Sequence, residues 1–131
     1  MTTPILLAET MLEGTTGLYS FTLVDEEDEG IDGSFLTTLT LTLYDVDSQT
    51  IINTRQDQDI LNANNGSIET DPGPPLTTTV TVELQPEDTA ILNEHRVKEY
   101  RVLSFVWTWD SGRRVGRHVV QFGVENVLLV P

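Results

Sequence analysis

The sequence contains no cysteine, two histidines and seven lysines and arginines among 131 residues. Without cysteine there is no disulfide framework and no thiolate nucleophile or ligand, and the redox state of the compartment is left open. His95 and His118 have no third ligand at a matching spacing, which argues against zinc. No window approaches the ~18 apolar residues of a membrane-spanning helix. Residues 1–9 lack a basic start, an extended apolar stretch and a small-residue cleavage site, so a soluble protein made in a cytoplasm, with no membrane partner, is expected. Long amphipathic helical periods are missing as well.

What remains fits a single domain over residues 1–131, large enough to bury roughly two-thirds of the surface of its unfolded chain. The formal net charge of -14 disfavours nucleic acid, because neutralising phosphates requires clustered cations on a chain that is not itself a polyanion. The charge is also divided. Residues 1–95 carry one basic residue, Arg55, against 18 acidic ones, and residues 96–131 carry six basic against three acidic. Two arrangements follow: a bipolar surface that docks head to tail with copies or partners, or a basic hairpin lying beside acidic loops of its own domain.

Alternation with period two dominates the chain. Over residues 36–46, Leu39, Leu41 and Leu43 alternate with Thr38, Thr40 and Thr42. Over 76–84, Val80, Val82 and Leu84 alternate with Thr79, Thr81 and Glu83. Further strands are expected at 19–24, 50–53 and 67–70, with an edge strand at 5–11 inside an N-terminal arm of residues 1–17. A helical turn is expected within 57–64, anchored by Ile60 and Leu61, with Asp57 and Asp59 at its start. Another is expected at Pro86, where proline suits a first turn and acids follow. The run Asp71-Pro72-Gly73-Pro74-Pro75 is rigid loop.

The longest β signal spans residues 97–127. Arg101, Leu103, Phe105, Trp107 and Trp109 share one side of an extended run that ends in the turn Asp110-Ser111-Gly112-Arg113, and Arg113, Arg114, Arg117 and His118 follow directly. A return strand over 117–127 places His118, Val120, Phe122 and Val124 on one face. Seven or eight strands with one or two short helical turns predict an all-β, immunoglobulin-like antiparallel β-sandwich. Its expected core includes Leu41, Leu43, Val80, Val82, Phe105, Trp107, Phe122 and Val124.

Candidate chemistry is sparse. Asp25, Glu27 and Glu29 before Gly30 superficially resemble a calcium loop, but Leu36 stands where a closing carboxylate is needed, so a solvated acidic loop is expected. His118, Ser111 and Asp110 lack the elbow and oxyanion motif of a nucleophilic triad. No catalytic residue, cofactor or metal is therefore assigned. Arg113, Arg114, Arg117 and Trp109 are the candidate protein-binding residues, because arginine and tryptophan are common interface anchors.

Leu84-Gln85-Pro86-Glu87-Asp88-Thr89-Ala90 resembles the segment joining strands E and F of immunoglobulin variable domains. There a tyrosine and a cysteine follow; here Ile91-Leu92-Asn93-Glu94-His95 follows, and an antibody-type disulfide is excluded. The wider order is similar to small immunoglobulin-like proteins encoded among the structural genes of tailed bacteriophages. It comprises residues 39–45, Thr50-Ile51-Ile52-Asn53, residues 59–64, residues 84–90, Phe105-Val106-Trp107-Thr108-Trp109-Asp110 and Gly116-Arg117-His118. The similarity covers residues 18–130 in order and spacing and contains no catalytic signature. It implies a noncatalytic virion protein, synthesised in the host bacterial cytoplasm. Such a protein binds neighbouring capsid, neck or tail proteins in a symmetric multicopy assembly. A carbohydrate-binding module for host attachment is the alternative, and it predicts a tryptophan exposed beside polar loops.

Overall fold

The computed structural model describes residues 5–6 and 10–127. Their strands are β1 (Ile5–Leu6), β2 (Met11–Leu12), β3 (Gly17–Thr22), β4 (Leu36–Asp45), β5 (Gln58–Asp59), β6 (Gly66–Asp71), β7 (Thr77–Leu84), β8 (Lys98–Trp109) and β9 (Arg114–Glu125). One sheet runs β1-β9-β8-β4-β5, with β2 also on β9; the other runs β3-β7-β6. The fold is an all-β sandwich. Its division of strands, β3-β7-β6 against β9-β8-β4, is immunoglobulin-like.

The alternation explains the layers. Leu39, Leu41 and Leu43 of β4 and Val80, Val82 and Leu84 of β7 point inward and are buried, and they meet Leu103, Phe105, Trp107, Val120, Phe122 and Val124 from the long hairpin. At roughly 1.5 to 3 kcal/mol per fully buried large side chain, this set dominates the stability. The outward threonines join neighbouring strands instead: Thr38 Oγ1 lies 2.7 Å from Thr108 Oγ1, and Ser20 Oγ lies 2.9 Å from Thr81 Oγ1. The turn expected at 110–113 closes the hairpin. Asp110, Ser111 and Gly112 adopt φ of 55°, 56° and 83°, and the Gly112 and Arg113 N–H groups donate to the Trp109 and Asp110 carbonyls.

Several boundaries differ from expectation. The return strand starts at Arg114 rather than residue 117 and pairs residue for residue with β8 back to Trp109. Residues 50–53 form only a bridge between Ile51 and Tyr44. The N-terminal edge strand is present as β1 and β2, both parallel to β9; residues 7–9 of that expected strand lie outside the described residues.

The helical turn expected over 57–64 is absent. β5 occupies part of it, and the Ile60 N–H donates to the Leu39 carbonyl at 3.0 Å. Asp57, Asn62 and Asn64 have φ of 47°, 54° and 50°, left-handed values that a right-handed helix cannot contain. Asp57 and Asp59 consequently begin no helix. The Asp59 carboxylate instead accepts from the Leu61 N–H at 2.9 Å, closing a turn. The turn at Pro86 does form, as a 3-10 segment over Pro86–Thr89.

Candidate protein-contact surface

Antiparallel pairing brings three connections to one end of the sandwich: the β8–β9 turn, residues 23–35 between β3 and β4, and residues 72–76 between β6 and β7. Between them lies an open cleft of about 1250 Å³, with Ile31, Leu36, Leu76 and Trp109 among its lining residues and Phe35 beside them. Phe35 is 67% exposed, an unusual position for a large aromatic.

The segment that presents Phe35 is held firmly. Asp32 caps the 3-10 turn Gly33–Phe35, its Oδ1 accepting from Ser34 N at 2.9 Å and Ser34 Oγ at 2.8 Å. These bonds hold the Asp32 carboxyl below its ordinary pKa. The Gly33 N–H donates to Thr78 Oγ1 at 3.0 Å and Thr70 Oγ1 at 3.2 Å. A side chain at Gly33 would meet Thr70 Oγ1 at 2.8 Å, so only glycine brings this backbone against the second sheet.

The acidic loop is organised by its own first residue. Asp25 Oδ1 accepts from the Glu27 N–H at 2.8 Å and the Glu29 N–H at 3.0 Å. The Glu29 and Glu27 backbone bonds hold its carboxyl below its ordinary pKa. Arg114 ion-pairs with Glu26 and lies 5.1 Å from the Trp109 ring centroid. Its guanidinium is held more firmly charged by the hydrogen bond to Glu26, with smaller contributions from Asp25 and Asp110.

Of the two arrangements open at sequence level, the tip adopts the second: Arg114 sits beside acidic loop residues of its own domain. The charged residues lining the cleft are Asp25, Asp32, Asp110 and Arg114, and Glu26 pairs with Arg114, a net of three negative charges around a tip that the local sequence presents as basic. Arg113 and Arg117 are exposed and form no ion pair among the described residues.

The tryptophans are placed differently from the arginines. Trp109 is 6% and Trp107 4% exposed, so both belong to the core, and Trp109 reaches the surface only at its edge, beneath Arg114 and along the cleft. The exposed tryptophan expected of a carbohydrate module is not offered by either ring. Trp107 packs flat against Gly116, where a Cβ would fall 2.5 Å from Nε1.

His118 points inward from β9. Its ring stacks on Phe21 with centroids 4.3 Å apart, and Nε2 shares a 2.5 Å hydrogen bond with Tyr19 Oη. Ser111 belongs to the turn, while His118 lies further along β9 opposite Phe105, and no hydrogen bond joins the two. Among the described residues no group of three or more His, Asp or Glu is arranged to hold a metal ion.

Burial lowers the pKa of His118 below its ordinary value of 6.5. The folded state therefore favours the neutral ring, while the unfolded chain takes up the proton at higher pH. The resulting stability is complete above about pH 6.5, declines as pH falls toward the folded-state pKa and levels off below it. In urea unfolding, His118→Phe should show a smaller loss of midpoint between pH 7 and pH 5 than the wild type; equal losses would place the effect elsewhere.

No protein-family model, curated protein or solved structure matches this chain. Among the surface residues, Phe35 is the one that sequence patterning missed. Counting back by twos from buried Leu39 puts residue 35 inward, but the pairing of β4 with β8 shifts register between Leu36 and Thr38 and turns it out.

Proposed function

We propose that this chain is a noncatalytic structural component of a tailed-bacteriophage particle that binds a neighbouring virion protein through the hairpin-tip end of its sandwich. The observation that carries the binding role is the cleft: apolar side chains line it, and an exposed aromatic stands beside it on a turn pinned by hydrogen bonds to the β3-β7-β6 sheet. Such pre-organised aromatics are the usual anchors of protein interfaces. The same end of the immunoglobulin-like sandwich carries the contact loops of variable domains, a support by fold analogy alone. The assignment to a virion rests on the sequence resemblance over residues 18–130.

Arg113, Arg114 and Arg117 are suitable probes because they are exposed, and among the described residues the one ion pair they form is a solvent-screened surface pair that contributes little to stability. In purified particles the wild-type chain should be present at a fixed ratio to a capsid, neck or tail protein. The triple change of these arginines to glutamate should change that ratio while leaving the thermal melt of the isolated domain nearly unchanged. Wild-type incorporation of the triple variant overturns the role of the arginines, and absence of the chain from particles overturns the virion assignment.

A further inference from the structure

We infer that the hairpin-tip cleft takes a short extended segment of its partner that combines an apolar side chain with flanking lysine or arginine. This inference rests on the contact role proposed above and specifies the chemistry of what is bound. It follows from which groups at the cleft are already engaged and which are not.

Asp25 and Asp32 are committed to backbone and hydroxyl donors of their own loops, and Glu26 is committed to Arg114. The side chains of Glu27, Asp28, Glu29 and Asp110 have no hydrogen bond or ion pair among the described residues. Arg114, the cation that lines the cleft, is already matched by Glu26. The charged residues that line the cleft, with Glu26 on Arg114, sum to three negative charges, so the net demand around the apolar floor is for positive charge. An acidic partner would meet like charges on the rim, and a wholly apolar one would leave the rim carboxylates to be desolvated without compensation. Phe35 supplies the complementary requirement, since an isolated cation gains little from an exposed ring unless an apolar body also covers it.

The test uses the full chain labelled with nitrogen-15 and three short synthetic peptides at physiological salt. One carries leucine and phenylalanine between lysines, the second replaces the lysines by glutamate, and the third replaces the apolar residues by serine. Only the first should shift the amides of residues 30–36, Leu76 and 110–114. Phe35→Ser should weaken that binding roughly tenfold or more. The combined change Glu27→Gln, Asp28→Asn, Glu29→Gln and Asp110→Asn should weaken it and flatten its dependence on salt. All these side chains are exposed, so unchanged melts are expected of both variants.

Equal binding of the glutamate or serine peptide, undiminished binding by Phe35→Ser, or no shift of these amides with any peptide would each overturn the inference. Concentration-dependent shifts of the same amides without peptide would assign the cleft to a second copy and also overturn it. A chain found in particles that fails the titration leaves the virion assignment intact; one that binds the first peptide but is missing from particles does the reverse.

Discussion

Asp88→Ala should destabilise the domain by about 3 to 5 kcal/mol, enough to lower its melting temperature by roughly 10 to 20 °C. Asp88 is completely buried, and both of its oxygens accept two hydrogen bonds. Oδ1 receives Arg55 Nε at 2.7 Å and Asn53 Nδ2 at 3.0 Å; Oδ2 receives the Gln85 N–H at 2.7 Å and Arg55 Nη2 at 3.0 Å. Arg55 is equally committed. Its remaining donors go to Gln58 Oε1, the Asn64 carbonyl and Asn65 Oδ1, so all five N–H groups of the guanidinium are accounted for. Alanine at 88 leaves this buried cation without its counter-charge and leaves two further donors unmet.

The loss should extend beyond the pair. Asn53, Thr54, Asp57, Asn62, Asn64 and Asn65 all hold positive φ, a conformation side chains other than glycine adopt at a cost. Arg55 is the hub on which that loop closes, so hydrogen exchange across residues 53–65 should rise with the fall in stability. Thermal melts of Asp88→Ala, Arg55→Ala and the double variant give the coupling between the two residues. A loss below about 1 kcal/mol in Asp88→Ala, the scale of a surface ion pair, would sink this account.

Arg101→Ala should have a comparable effect, again about 3 to 5 kcal/mol, for a different reason. Arg101 shares the inner face of β8 with the aromatic core and is fully buried. It donates to Asp45 Oδ1 and the Ala90 carbonyl at 2.7 Å and to Glu99 Oε1 at 2.8 Å. Removing it strands two buried carboxylates.

Buried ionic triads that serve only one another are often replaced by apolar residues without loss. Here each carboxylate also holds backbone: Asp45 accepts from Ser48, and Glu99 from the Leu92 and Asn93 N–H groups. A variant with all three positions made apolar should therefore remain less stable than the wild type, because those N–H groups lose their acceptors. Recovery of full stability in the triple apolar variant would show that the cluster serves only its own charges.

Comparison of these two clusters with the sequence shows what patterning can and cannot reveal. Leu39, Leu41 and Leu43, and the inner residues of β7, β8 and β9, declare themselves because inward and outward positions repeat every second residue. Arg101 falls on that same inward register with Glu99 two positions before it, yet its second carboxylate comes from Asp45 on another strand, 56 positions away. The segment around Ile60 shows the converse. Its two adjacent apolar residues suit a helical turn locally, but the pairing with Leu39 and the hold of Asp88 on nearby Arg55 determine its path, and neither Leu39 nor Asp88 is a neighbour in the chain. The hairpin tip follows the same logic: its arginines are obvious in the sequence, while Glu26, which lies 88 positions from Arg114, is brought there by topology.

The pairing of β1 and β2 with β9 bears on the timing of folding. Among the domain's strands β9 is made last, and it completes two things at once, the hairpin with β8 and the shelf on which both N-terminal strands lie. Until β9 leaves the ribosome, the first strands have no partner and the inner faces of β4, β7 and β8 lack the row of Val120, Phe122 and Val124. Chains stalled before β9 should therefore remain accessible to chaperones and proteases, so that the domain passes from vulnerable to protected only when this one strand emerges.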